Sequence, residues 1–183
     1  NTGRLGDTLD IGLVAYYPFN GNSNDESTNN NNLTLNGPTL SVDRFGSTNR
    51  AYTFDGTDDY LTAPHHSSLN IPDGLTLSAW VRPDSTPTWN MIFQKGDGLS
   101  NNQVFHLANT NGKLHYFWRS SQNGNYGSTT TSNVVLPPNV WTHVIVAHVS
   151  GSQPILYING VRQAVITDGN QSNPRGLNND SLS

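Results

Sequence analysis

Short runs of alternating apolar and polar residues dominate the chain, separated by stretches rich in Asn, Gly, Ser and Thr. In Leu75–Val81 the residues Leu75, Leu77, Ala79 and Val81 share one face, while Thr76, Ser78, Trp80 and Arg82 share the other. A period of two predicts a strand with one side on a core and one side partly exposed. Trp141–Val149 is apolar on both faces and predicts a central, covered strand. Ile155–Val165 is interrupted by Asn159-Gly160, a pair that tolerates the positive φ angles of a two-residue hairpin turn. These two runs form the expected middle of an antiparallel sandwich. Gln103–Ala108 and Lys113–Arg119 predict a second hairpin across residues 109–112. Along its second strand Leu114, Tyr116 and Trp118 share one face, and Lys113, His115, Phe117 and Arg119 the other. Both faces carry aromatics, so at least one aromatic set points away from the core.

Weaker runs complete the pattern. Leu13–Phe19 reads as the first strand, Leu33–Leu35 and Ala51–Phe54 as short ones, and Met91–Lys95 as another. Asp55–Asp59 is an acidic turn that would make Tyr60–Ala63 the hairpin partner of Ala51–Phe54. Asn20–Asn32 cannot bury a face and reads as loop. So do Ser120–Thr131, which contains Tyr126, and the stretch from Thr167 to Pro174. Residues 1–12 are weakly periodic: a linker or arm, or a strand that pairs with something else. The remainder, 13–183, is read as one sandwich domain, a comfortable size for a single core.

Composition narrows the function classes. Net charge is −4, charged residues make up 12% of the chain, and no basic block exists, which argues against a nucleic-acid partner. No run of about 18 apolar residues offers a membrane span. Cysteine is absent, so disulfides contribute nothing. A surface of amides and hydroxyls, with lysine only at 95 and 113, suits a secreted or cell-surface protein. The chain opens at Asn1 without methionine or leader and is expected to be a mature or excised fragment. Sequons at Asn32, Asn170 and Asn179 permit glycosylation in a suitable host, although such short motifs arise by chance.

Several blocks together resemble the laminin-G-like, concanavalin A-like jelly-roll superfamily. They are Leu13–Asn22 (LVAYYPFNGN), Ala51–Tyr60 (AYTFDGTDDY), Leu75–Val81 (LTLSAWV), Trp141–Val144 (WTHV) and Leu156–Gly160 (LYING), in the family's order. The resemblance implies an all-β, antiparallel two-sheet β-sandwich. It also implies that Trp80 packs in the core and that further strands follow Leu182, so this chain is expected to lack the last strands. Either the chain is an excerpt, or another subunit donates a strand at an open edge. The fold carries many functions, so function rests on sites.

Relatives with this pattern often bind calcium through the loop after the first strand. Asn20, Asn22 and Asp25 offer the hard oxygen ligands that Ca2+ prefers, against the alternative that Asx side chains cap their own turns. Asp55, Asp58 and Asp59 raise the same question, with the Asp-Gly turn the stronger explanation. Adjacent His65 and His66 point to opposite sides of a strand, which disfavours zinc, and His65 is a candidate ligand contact at a sheet rim. For a polysaccharide or glycan partner the chemistry is aromatic faces to stack on sugar C–H groups and amides to bond hydroxyls. The candidate set is Trp89, His106, Trp118, Arg119 and Tyr126. Glycoside hydrolysis needs two placed carboxylates, and the chain has one glutamate, Glu26, in an Asn-rich loop, so no catalysis is expected. Self-assembly as an adhesive or filament subunit is the alternative to a binding module.

Overall fold

A computed structural model describes residues 11–71, 74–96, 104–119, 126–133, 135–149 and 152–169. The expected penultimate strand at Leu182 and the arm before residue 11 lie outside them. The chain divides into two compact units, Asn1–Leu69 and Asn70–Ser183.

The first unit holds two small antiparallel pairs. β1 (Thr34–Asn36) pairs with β4 (Tyr60–Thr62), and β2 (Thr39–Ser41) pairs with β3 (Ala51–Thr53). The expected hairpin across Asp55–Asp59 therefore does not form; that turn leads from one pair to the other. Its carboxylates close the loop internally: Asp55 Oδ1 accepts the Thr57 amide at 2.8 Å, and Asp59 Oδ2 accepts the Asp55 amide at 2.8 Å. Gly37, between β1 and β2, has φ +87°, and a Cβ there would sit 1.8 Å from Asp59 Oδ1, so only glycine fits.

Leu13–Phe19 is not a strand. Among the described residues, groups of the following loop rather than a strand meet several of its backbone atoms, including the Glu26 amide on the Tyr16 carbonyl. Asn29 Nδ2 donates to the Leu13 and Val14 carbonyls, Asn31 Nδ2 to Val14, and the Tyr16 amide donates to Asp25. The segment ends at Phe19, whose φ of 53° breaks any extension.

The second unit is the sandwich. One sheet has the order β12 (Val161–Arg162), β11 (Ile155–Ile158), β10 (Thr142–Val149), β5 (Gly74–Val81). The other has the order β13 (Val165–Gly169), β9 (Tyr126–Thr131), β8 (Lys113–Arg119), β7 (Phe105–Thr110), β6 (Asn90–Lys95). All strand pairs are antiparallel. β10 is an inner strand, as its two apolar faces predict. Asn159 and Gly160 take φ values of 49° and 77° and turn β11 directly into β12. Asn111 and Gly112 do the same between β7 and β8, a tighter turn than expected, so β7 runs on to Thr110.

Inner faces of both sheets build one core. Leu75, Val144, Val146, Leu156 and Ile158 meet Phe105, Leu107, Leu114, Tyr116 and Trp118. β9 and β13 lie where loop was expected. β9 has no large apolar residue after its first position, yet Thr129 and Thr131 are buried and their hydroxyls find partners, Thr131 accepting the Leu114 amide. β-branched threonine suits a pleated surface, and paired hydroxyls remove the cost of burying it.

Candidate functional site

The outward face of the five-stranded sheet carries an aromatic cluster set by strand register. His106 lies opposite Phe117 and Ala108 opposite His115, so His106, His115 and Phe117 share the outer side of β7 and β8. The His106 and Phe117 rings stack at 5.0 Å with an 8° interplanar angle. Trp89, in the loop entering β6, presents its ring edge-on to His106 at 5.2 Å and tilted to His115 at 5.2 Å. The loop is pinned to the β7–β8 turn, since the Asn111 amide donates to the Pro87 carbonyl and the Thr110 hydroxyl to Thr88. At the far end the Arg119 guanidinium stands 5.9 Å from the Phe117 ring centre, at the reach of a cation–π contact. The result is a strip from Trp89 to Arg119, with Trp89 still 45% exposed.

Its histidines are neutral. Burial, then the neighbouring His115, pushes His106 down to about 3, and burial lowers His115 too. His115 Nδ1 is 2.8 Å from the Thr130 hydroxyl. A strip of neutral imidazoles, a phenyl ring and an indole suits the weakly polar C–H face of a ligand, with the guanidinium for polar groups at one end.

Of the five residues expected to bind ligand, three meet here: Trp89, His106 and Arg119. His106 is only 5% exposed and supports the strip more than it presents itself. Trp118 is a correction. It is 0% exposed, in the core, because it alternates with Phe117 and Arg119 and faces the other sheet. Tyr126 lies opposite Arg119 in register at the start of β9, and its side chain lies outside the described residues. His115 and Phe117, outside the expected set, complete the strip. Trp80 is also corrected: it faces outward on β5 and is 42% exposed.

Asn20, Asn22 and Asp25 do not fit a calcium cage. Asp25 is buried, and both its oxygens already accept: Oδ1 from the Tyr16 and Ser27 amides at 2.8 Å each, Oδ2 from the Ser27 hydroxyl at 2.7 Å and the Asn31 amide at 2.8 Å. Burial alone would raise this carboxyl, but those hydrogen bonds outweigh it and hold it below the usual aspartate value. Asn22 donates to Asn20, and Asn20 in turn to Glu26. Asp25 thus organises the loop as a set of Asx bonds. Asp25→Ala is expected to strand four donors and cost about 3 kcal/mol, non-additively, of local stability. Hydrogen exchange over residues 13–31 should report it equally in calcium and in chelator. Asp55, Asp58 and Asp59 bring carboxylate oxygens within 4.8 Å of one another, but they are mainly exposed and tie their own turn.

Comparison with known proteins now places the chain. A family model of the concanavalin A-like lectin/glucanases superfamily matches residues 55–182, and the chain belongs to that superfamily. No curated protein matches it in sequence. Among solved structures, the binding domain of botulinum neurotoxin serotype C1 superposes with a TM-score of 0.68 at 13% identity, covering 96% of this chain and 47% of that one. The ligand-binding domain of botulinum neurotoxin serotype D, in complex with N-acetylneuraminic acid, gives 0.61 at 15% identity, covering 87% and 42%. Domains LG4-5 of the mouse laminin α1 chain give 0.50 at 10% identity, covering 65% and 30%. The chain spans less than half of each of these structures, and at such identities the likeness is one of fold. No helix among the described residues is long and apolar enough to cross a membrane.

Proposed function

We propose that the chain is a non-catalytic carbohydrate-binding module of a secreted or cell-surface protein. The glycan lies along the outer face of the five-stranded sheet. The observation that carries this is the strip itself: Trp89, half open to solvent, braced by His106 and His115 on a pinned loop, with Phe117 and Arg119 in line. The superfamily includes lectins. A structural neighbour was solved with N-acetylneuraminic acid, which is in keeping with a sugar ligand. Hydrolysis would require two carboxylates flanking the bond, and among the described strand positions register puts only Asp168 on this face, in the row of Phe117. Because Asp25 is satisfied by its own loop, the module is proposed to work without calcium.

A glycan array probed with the intact chain identifies the ligand, and calorimetry on Trp89→Ala tests the site. Loss of the indole should weaken binding about 10- to 100-fold, in line with 1–3 kcal/mol for a stacking contact. The fold should be untouched, since Trp89 lies outside the core. Undiminished affinity in a folded Trp89→Ala chain would remove the site from this face.

A further inference from the structure

The opposite sheet carries a second aromatic depression that the strip does not use. Trp80, Trp141, His143, Asn159 and Gly160 line a shallow, open depression on the outer side of the four-stranded sheet. Register sets Trp80 directly across from His143, and their rings stack at 5.0 Å with a 16° interplanar angle. The imidazole is in turn fixed from β5, its Nε2 lying 2.8 Å from the Ser78 hydroxyl. Asn159 is held by a reciprocal pair: its Oδ1 accepts the His143 amide at 2.9 Å, and its own amide donates to the His143 carbonyl at 2.8 Å. Its Nδ2 group makes no hydrogen bond among the described residues. Gly160 has nothing within 4 Å of where a Cβ would stand, so the turn leaves open space beside the amide.

We infer that this depression is a second saccharide subsite, taking one pyranose ring. Two indoles offer apolar faces, the Trp80 one rigidly backed, and the Asn159 amide donors stand at the rim for ring hydroxyls. Apolar walls with a few fixed polar groups are what a small-ligand site requires. The inference takes its ligand class from the proposed function but stands on different residues. The two sites occupy outer faces of opposite sheets, whose backbones lie about 10 Å apart in a sandwich. One short glycan cannot fill both. A long or branched polysaccharide, or a dense glycan surface, can, and the second contact then raises avidity without any new affinity at the first.

Saturation-transfer NMR on the full chain separates the possibilities. The probes are methyl glycosides of glucose, galactose, mannose and N-acetylglucosamine, together with sialyllactose. The variants are Trp89→Ala, Trp80→Leu, their double and Trp80→Phe. Two subsites predict that each of the first two variants loses about half the signal and the double loses all of it. Trp80→Phe, which keeps a flat ring, restores most of what Trp80→Leu loses. If Trp89→Ala abolishes binding and Trp80→Leu changes nothing, the second subsite is overturned and the first stands. If Trp80→Leu alone abolishes binding, the second subsite is upheld and the strip is overturned. Failure of every probe on the unsubstituted chain overturns both. Equal loss in Trp80→Leu and Trp80→Phe, with altered backbone spectra, assigns Trp80 to the sheet rather than to a ligand and overturns the subsite.

Discussion

Trp118→Ala is expected to unfold the sandwich far more readily, at a cost of about 4 kcal/mol, while leaving sugar affinity unchanged in whatever remains folded. The indole is fully buried between the sheets, stacked on Tyr116 at 5.5 Å and edge-on to His148 at 4.8 Å. Removing it leaves a cavity that two sheets locked in register cannot close. Urea denaturation measures the loss. A variant of unaltered stability with abolished binding would mean that β8 presents its other face to solvent, which would invert the account of the sheet.

Acid should act on the same unit. His148 is buried; with a proton on Nε2 it donates to the Ser152 carbonyl at 3.2 Å, and its Nδ1 accepts from the Tyr116 hydroxyl at 3.3 Å. Burial, partly opposed by the bond to Ser152, lowers it to about 4, and His106 stands at about 3. In the unfolded chain both protonate near 6.5. Both folded values are depressed, so stability is full above about pH 6.5. It falls as protons bind the unfolded chain first, and the loss is complete once pH passes the folded values. At pH 5 the linkage costs about 2 kcal/mol for each histidine relative to neutral pH. Denaturation at pH 7, 6 and 5 should show this slope, to which the buried His115 adds in the same direction, and His106→Gln should make it shallower. Stability that does not change from pH 7 to 5 would contradict the burial of these imidazoles.

The sandwich was legible because its strongest strands announce themselves by period and by turn. Trp141–Val149 is apolar on both faces and proves to be an inner strand, and Asn159-Gly160 turns where the sequence places it. What was hidden has physical causes. β9 lacks apolar alternation because threonines fill its inner positions, Thr129 meeting Thr167 of β13 hydroxyl to hydroxyl, and β13 itself brings only Val165 to the core. Leu13–Phe19 looks like a strand, but Asn and Asp side chains from the next loop meet several of its backbone atoms.

The candidate site was half legible for a related reason. β8 carries aromatics on both sides, so alternation alone cannot say which faces water, and Trp118 was grouped with residues of the opposite face. The turn holds the missing signal. With Asn111-Gly112 as the two-residue loop, Thr110 pairs with Lys113, and His106 then falls opposite Phe117. That register collects His106, His115 and Phe117 on one side of the hairpin. Trp80 resists the same treatment, since an outward indole on an alternating strand looks like any packing residue until its partner His143 is placed across from it.

Fluorine NMR of the chain carrying fluorinated tryptophan tests the central claim most directly, because four tryptophans give four resonances, assignable by single substitution. Titration with a glycan from the array should shift the Trp89 signal and leave the buried Trp118 signal in place, in chelator as well as in calcium. Binding that moves Trp118 while Trp89 stays unchanged would contradict a glycan site on the outer face of the five-stranded sheet.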